Sequence, residues 1–357
     1  MMGERFLAVL CVRNEAAFLL EWLAHHRASG FTDFLVFSND CQDGTDTMLD
    51  RLAEMGLLVH KRNDGPHDSR GIQFTALGRA AELPIVKRAD WILPLDIDEF
   101  VNIHTGDRTV QALTSALPHA TAITLTWRLF GNAGVVPFED RPMTEQFTHA
   151  APQIMHWPWR STMFKTLYRN DGTYAKPGVH RPRSPNKARL DQSRWFDCEG
   201  RELDEKFKTT RIFSSFGQPN YALGQLNHYP LGAMESYLLK ADRGRAVHSD
   251  HMLGMDYWVE RNWSTEEDRS VLALAPRMQQ ELATLKADPT LADLHQNAVI
   301  WRKSRVGELL KHEPYRALMG RLMMTPPSRP LPPQAARVLS HHARRALTSE
   351  GQPRRKP

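Results

Sequence analysis

The first 131 residues alternate short apolar runs with segments of helical periodicity. The apolar runs cover residues 6–12, 33–39, 57–62, 91–101 and 121–131, and they have the length of buried strands. Between them, residues 16–29, 46–56, 69–82 and 108–116 are predicted helices, the first of them amphipathic, with Phe18, Leu19, Trp22 and Leu23 on one face. Strands that alternate with helices predict an α/β fold, a mostly parallel sheet flanked by helices.

The second half is less regular. Residues 161–170 and 221–230 predict further strands, while 181–218 is polar and interrupted by proline and glycine, which predicts a long loop or insertion. After Gly232 the pattern is helical over 233–244, 255–263, 266–285 and 291–311. The tail from Thr325 holds seven of the 23 prolines, and we predict that it is disordered apart from a short helix near 334–347.

The basic tail accounts for the net charge of +5. Residues 325–357 contain seven Lys or Arg and one acid, so the tail is +6 and the remainder is −1. The high isoelectric point therefore does not indicate a nucleic-acid partner, although such a tail can contact an anionic membrane peripherally.

Cysteine content and hydropathy bear on the compartment. The three cysteines lack metal-ligand spacing, which favours a reducing compartment. The sequence shows no signal-peptide pattern and no run of 18 apolar residues. We therefore expect a cytoplasmic protein.

The stretch ADWILPLDIDEFV, residues 89–101, places carboxylates directly after an apolar strand. Carboxylates are depleted in strands and costly to bury unpaired. Because residues i and i+2 of a strand point the same way, Asp96 and Asp98 are predicted to project together. Such a pair suits Mg²⁺ or Mn²⁺ bridging to a diphosphate, and the alternative is a solvated turn. The carboxyl ends of the other predicted strands, at RNE, SNDCQDGTD and NDGPHD, fall at the same edge, where ligands bind such sheets.

Several motifs in order resemble GT-A glycosyltransferases of the family 2 type, in the subgroup related to glycosyltransferase family 92. They are VRNEAAFLLEWLAHHRASGF, SNDCQDGTDTMLDRL, ADWILPLDIDEFV, WRLFGNAG, MFKTLYR, GVHRP and NHYPLGAMESYLLKADRGRA. The resemblance implies a Rossmann-like GT-A domain over residues 1–262, followed by C-terminal helices at 263–324 and the tail at 325–357.

The resemblance also implies residue roles. Arg13, Asn14, Glu15, Asp43, Gln73 and Asp96 would bind the donor, with Lys240, Arg243 and Arg245 neutralising its diphosphate, and the metal ligands would be Asp96, Asp98 and His228. Asn14 can also cap the following helix, Asp43 can belong to a turn, and Asp40 or Asn39 can replace Asp43. A lone histidine is more often structural than a ligand. The expected catalytic base is Asp140 or His180.

The implied activity is metal-dependent transfer from a nucleotide sugar, a UDP-sugar, with inversion, to a glycan or lipid-linked acceptor. Two other functional classes share this type of fold. A nucleotidyltransferase would need a glycine-rich first loop, whereas this chain has CVRNEAAF. A non-catalytic carbohydrate- or partner-binding protein that keeps the fold stays open.

Overall fold

The computed structural model describes residues 3–67, 69, 71–215, 217–243 and 253–350. The strands are β1 Phe6–Val12, β2 Asp33–Ser38, β3 Val59–Arg62, β4 Trp91–Leu95, β5 Glu99–Ile103, β6 Ala122–Leu129, β7 His149–Ala150, β8 Phe164–Arg169, β9 Tyr174–Lys176, β10 Arg183–Pro185, β11 Trp195–Asp197, β12 Gly224–His228 and β13 Glu266–Glu267. The helices are α1 Ala16–Ala28, α2 Thr45–Glu54, α3 Ile72–Ala80, α4 Pro84–Lys87, α5 Val110–Ala116, α6 Met143–Gln146, α7 Lys187–Leu190, α8 Glu205–Thr209, α9 Met234–Arg243, α10 Met255–Val259, α11 Ala275–Lys286, α12 Pro289–Leu310, α13 Glu313–Met324 and α14 Pro333–Glu350.

One large sheet organises the chain, in the order β3-β2-β1-β4-β8-β6-β12-β5, with β11 paired to β6. Strands β1 to β4 are parallel, as are the pairs β6–β12 and β6–β11, whereas β8 and β5 are antiparallel to their neighbours. The predicted α/β fold with a mostly parallel sheet is confirmed. The parallel order β3-β2-β1-β4 is that of a Rossmann-like half, and it brings the ends of these strands to one edge.

Helix α1 is buried on almost every side, which corrects the prediction of an amphipathic helix. The polar residues Glu21, His25 and His26 are buried together with the predicted apolar face. The cause lies in the C-terminal helices, because α11 and α12 pack on the face of α1 that turns away from the sheet. The local pattern of residues 16–28 cannot show that α11 and α12, which come much later in the sequence, pack on this helix.

The C-terminal region is helical, as predicted, with changed boundaries. The segment predicted as a helix over 266–285 begins with β13 and a 3-10 helix at Ser270–Leu274, and regular helix starts at Ala275. The short tail helix is observed as α14, Pro333–Glu350, longer than predicted. Residues 351–357 lie outside the described part of the chain, as does Arg245.

The segment predicted as a loop or insertion, 181–218, adds a strand to the main sheet. Its β11 runs parallel to β6, with Trp195 opposite Ala122. Trp195 is fully buried and explains why this polar segment is ordered against the core. Among the described helices, none combines the length and apolar content needed to cross a bilayer.

Candidate active site

The sheet turns sharply at the acidic stretch. Strand β4 ends at Leu95, residues 97 and 98 form a turn, and β5 begins at Glu99, whose amide donates to the Asp96 carbonyl at 3.1 Å. Asp96 and Asp98 therefore do not share one strand face as predicted. Each carboxylate meets its own lysine.

Asp96 is held from two sides. Its Oδ2 lies 2.9 Å from Nζ of Lys165, and its Oδ1 accepts a hydrogen bond of 2.8 Å from Nε2 of Gln73. Gln73, predicted to contact the donor, is thus observed to hydrogen-bond to Asp96. Burial opposes ionisation of the carboxyl, but the Lys165 ammonium holds the pKa of Asp96 below its ordinary value. Asp96 is a charged group at neutral pH with both oxygens already engaged.

The side chain of Glu99 is fully buried and lies beneath the turn. Its Oε1 accepts from Nε1 of Trp127 at 2.6 Å, its Oε2 accepts from the Asp96 amide at 2.8 Å, and Nζ of Lys165 lies 3.4 Å away. Burial raises the pKa of Glu99 to about 8, with Lys165 acting in the opposite direction. These contacts fix the backbone of the turn, a structural role that the sequence did not assign to Glu99 or Lys165.

Asp98 lies at the end of the β5–β12 pairing, where His228 is opposite Glu99. Its Oδ2 is 2.7 Å from Nζ of Lys240, and its Oδ1 is 3.7 Å from Nε2 of His228. Burial disfavours the charge, but Lys240 and His228 keep the pKa of Asp98 well below its ordinary value. Burial also lowers the pKa of His228, so its imidazole is neutral at pH 7.

The predicted metal ligands are only partly assembled. The described residues include no cluster of three or more His, Cys, Asp or Glu side chains arranged to hold an ion. Asp98 and His228 face each other, and a neutral imidazole and a carboxylate suit Mn²⁺. Nδ1 of His228 is buried and has no hydrogen-bond partner among the residues that the structure describes. Asp96, by contrast, is bound to Lys165 and Gln73. Asp98 and His228 are therefore the two predicted ligands that could hold a divalent cation.

Of the two predicted bases, His180 is near this turn. Its Nδ1 lies 3.0 Å from the Phe164 carbonyl, so in the neutral ring Nδ1 donates and Nε2 keeps its lone pair. Burial and the neighbouring Lys165 lower the pKa of His180 to about 4. The Trp127 ring lies between the two histidines, 5.6 Å from the ring of His180 and 4.3 Å from that of His228.

Asp140 is placed elsewhere. Its Oδ1 lies 2.8 Å from Nε2 of His295 on α12, and that contact lowers the pKa of Asp140. Neither Asp140 nor His180 is among the residues that line the cavity beside Asp98. The structure gives Asp140 a contact with α12, and of the two residues only His180 lies near the acidic turn.

The end of β1 shows a different cap from the one predicted. The amide of Ala16, at the start of α1, donates to Oδ2 of Asp43 at 2.9 Å, and Oδ1 of Asp43 accepts from the Thr45 hydroxyl at 2.6 Å. Asn14 instead accepts from the Gln42 amide at 2.7 Å, with a positive φ of 54°. The expectation that Asn14 caps α1 is wrong. Asp43 caps it, and any contact with a nucleobase would come in addition to that role.

Five basic side chains line a cavity of about 120 Å³ at Asp98. We call these the basic wall: Arg13, Lys240, Arg243, Arg302 and Arg305. Arg243 hydrogen-bonds to Glu15 and, at 2.6 Å, to the Arg13 carbonyl, while Arg302 lies 3.7 Å from Glu15. Within the described part of the chain, Nε of Arg13 and Nε of Arg302 are buried without hydrogen-bond partners. The five basic groups outnumber the three carboxylates of the lining, Glu15, Asp98 and Asp242, and this excess of charged donors favours an anion.

The sequence pattern does not identify Arg302 as a residue that lines this cavity. It lies on α12, is 5% exposed, and its guanidinium stacks on Phe18 at 4.5 Å and Phe138 at 5.1 Å. The pattern of residues 291–311 indicates only a helix. Nothing local marks Arg302, because its partners come from α1 and from the loop before α6.

Comparison with known proteins gives few matches in sequence. No family model matches this chain. A glycosyltransferase family 92 protein of Oryza sativa subsp. japonica is 24% identical over 147 residues, which cover 40% of this chain. The match spans about a quarter of that relative, 24% of its length.

Among solved structures, S. aureus TarS over its residues 1–349 has a TM-score of 0.32 and 13% identity, covering 85% of this chain and 83% of TarS. Mannosyl-3-phosphoglycerate synthase from Rubrobacter xylanophilus has a TM-score of 0.27 and 22% identity, covering 36% and 42% of the two chains. Glucosyl-3-phosphoglycerate synthase from Mycobacterium tuberculosis, solved with Mn²⁺ and UDP, has a TM-score of 0.25 and 16% identity, covering 37% and 47%. The resemblance to glycosyltransferase family 92 that the motifs predict is confirmed by the shared segment of 147 residues.

Proposed function

We propose that this protein is a glycosyltransferase that moves a sugar from a nucleotide-sugar donor, a UDP-sugar, to a hydroxyl acceptor with inversion. The observation that carries the proposal is the cavity in which Asp98, whose Oδ1 lies 3.7 Å from Nε2 of His228, meets the basic wall. A carboxylate backed by an imidazole and a set of basic side chains in the same cavity suit a diphosphate with its counter-cation. The family 92 relative supports the same reaction class.

The basic wall would bind and orient the donor diphosphate. Lys240 already donates to Asp98 and to the Pro230 carbonyl, both at 2.7 Å, so its ammonium is fixed at the cavity edge. Arg13 and Arg302 supply the unpaired N–H groups. At about 120 Å³ the cavity is smaller than the roughly 300–1,000 Å³ of common small-molecule sites, so it holds the diphosphate rather than the whole donor.

Asp98 and His228 would hold Mn²⁺ or Mg²⁺. Such an ion, when bound, stabilises the charge that develops on the leaving nucleoside diphosphate. Asp96 would accept hydrogen bonds from Gln73 and Lys165 and thereby orient the turn that carries Asp98. Its role is positioning, as its oxygens are occupied.

His180 would act as the general base. Its Nδ1 is tied to the Phe164 carbonyl, so a proton from the acceptor hydroxyl would go to Nε2. The lowered pKa keeps the ring neutral and able to accept at pH 7. The acceptor would be a glycan or a lipid-linked sugar, and the basic residues of the tail would attract anionic headgroups if that acceptor is membrane-bound.

The test is a screen of nucleotide sugars with Mn²⁺ and with Mg²⁺, reading released nucleoside diphosphate. The wild type should turn over with one donor and stop in EDTA. Asp98→Asn should abolish turnover, whereas the matched change Asp293→Asn, at an exposed position of α12, should not. Full activity of Asp98→Asn, or full activity in EDTA, would overturn the proposal.

One observation favours a second candidate, a non-catalytic nucleotide- or carbohydrate-binding protein. Both acidic residues of the turn are already neutralised, Asp96 by Lys165 and Asp98 by Lys240. A protein that binds UDP tightly but releases no nucleoside diphosphate from any donor, with or without metal, would identify this class.

A further inference from the structure

A second and larger cleft lies on the other face of the sheet. Side chains alternate along a strand, so Trp127 faces His228 while its neighbour Arg128 points to the opposite side. Arg128 lines a cleft of about 610 Å³, bounded by His104, Tyr221, Gln225 and the segment 266–270. That volume lies in the range of sites that bind small molecules.

Arg128 is a buried cation that is only partly satisfied. It is 2% exposed, and its Nη2 donates to Oε2 of Glu266 at 2.7 Å. Its guanidinium lies over the ring of Tyr221 at 5.4 Å, and its Nε lies 3.8 Å from Oδ2 of Asp268. Nε and Nη1 are buried and find no hydrogen-bond partner among the described residues. An unpaired buried donor is costly, which indicates that an acceptor completes the site.

His104 supplies a hydrogen-bond acceptor in the same cleft. Its Nδ1 lies 2.7 Å from the Tyr221 carbonyl and therefore donates, which leaves Nε2 with a lone pair. That Nε2 is also buried, and no described residue hydrogen-bonds to it. The cleft thus presents one unpaired donor group and one unpaired acceptor.

The charges of the lining decide which ligand class fits. Glu199, Glu266, Glu267 and Asp268 oppose Arg128 and Arg269, so the lining carries a formal charge of −2. This charge disfavours an anion. A small cation is disfavoured by Arg128, whose guanidinium lies in the floor. A neutral compound with several hydroxyls suits both the charge and the unpaired groups of the cleft. A hydroxyl can accept from Arg128 and donate to His104 or to a carboxylate.

We propose that this cleft binds a neutral sugar, at a site across the sheet from the cavity beside Asp98. The site does not depend on transfer at Asp98, and it would persist if the protein had no catalytic activity.

The test uses saturation-transfer NMR on the full chain, with lactose, maltose and N,N′-diacetylchitobiose as probes. Glucuronate and glucosamine serve as the anionic and cationic comparisons. Saturating UDP is present throughout, so that the cavity beside Asp98 is blocked. At least one neutral probe should show saturation transfer that exceeds that of both charged sugars.

Ala222→Trp fills the cleft from an exposed lining position without removing a buried group. It should weaken probe binding by about tenfold or more. Ala283→Trp, at an exposed position of α11, should leave binding unchanged. Gln153→Trp, a second exposed position in the lining, replaces Ala222→Trp if that variant does not fold.

Three results would overturn the proposal. They are no saturation transfer from any neutral probe, equal binding by the wild type and the filled variant, and stronger binding of either charged sugar. A wild-type protein that turns over its donor but binds none of the neutral sugars would refute this site alone, so its failure is distinguishable from failure of the proposed transferase activity.

Discussion

Lys165→Met should destabilise the protein, because it removes the cation beneath the acidic turn. Lys165 is fully buried, with Asp96 at 2.9 Å and Glu99 at 3.4 Å. Methionine has a similar length and no charge, so it fills the space and leaves the carboxylates without their counter-ion. The test therefore isolates the electrostatic role of the residue from its packing.

The magnitude follows from the geometry. Removing one partner of a buried ion pair costs about 3–5 kcal/mol. The Asp96 side chain is 33% exposed, and water screens part of its charge, so the lower half of the range, about 3–4 kcal/mol, is expected. For 357 residues and an unfolding entropy of about 2.1 cal/mol/K per residue, a single cooperative transition would shift by about 4–5 °C.

The loss should depend on pH. Without Lys165, burial is expected to raise the folded-state pKa of Asp96 above that of the unfolded chain, and the pKa of Glu99, which burial already raises, should rise further. Stability is then retained below the unfolded pKa, near 4, and lost as pH rises. Calorimetric unfolding at pH 5 and pH 8 should show the larger loss at pH 8.

Two controls accompany this variant. Lys87→Met, at a lysine that is 62% exposed, should cost at most about 0.5 kcal/mol. Adding Asp96→Asn to Lys165→Met removes both charges and should recover more than half of the lost stability. An equal loss at both pH values, or no recovery in the double variant, would refute the argument.

Three further outcomes are expected. His228→Ala should weaken Mn²⁺ affinity in calorimetry with UDP present, and unchanged affinity would remove His228 from the metal site. Arg302→Gln should raise the dissociation constant for UDP by about tenfold or more, since a hydrogen bond from a charged group is worth about 1.5–3 kcal/mol, whereas Arg316→Gln, at an arginine that is 52% exposed, should not. Burial raises the pKa of Glu21 to about 7 from an ordinary 4.5, so its contribution to stability is full below pH 4.5 and falls as pH rises through 7, by about 3 kcal/mol. Glu21→Gln should abolish that part of the decline in thermal midpoint between pH 5 and pH 8, and an unchanged decline would contradict the assignment.

The sequence by itself determined the strands and helices of the first half and the edge at which they end. β1, Phe6–Val12, is observed with the predicted bounds, and β2 and α2 within two residues. These elements follow from period and composition, which are local properties of the chain. The sequence also indicated the motif around Asp98 and the later His228. In the structure, Oδ1 of Asp98 lies 3.7 Å from Nε2 of His228.

Only the tertiary structure decided which groups these residues meet. Asp96 and Asp98 were expected to share one face, but a turn sends one to Lys165 and the other to Lys240. Arg302 reaches the cavity from a helix whose pattern shows no chemistry. The physical reason is that a charge buried in a low-dielectric interior must find a counter-charge or hydrogen-bond partner in space, and that partner is separated in sequence by 69 residues for Asp96 and 142 for Asp98.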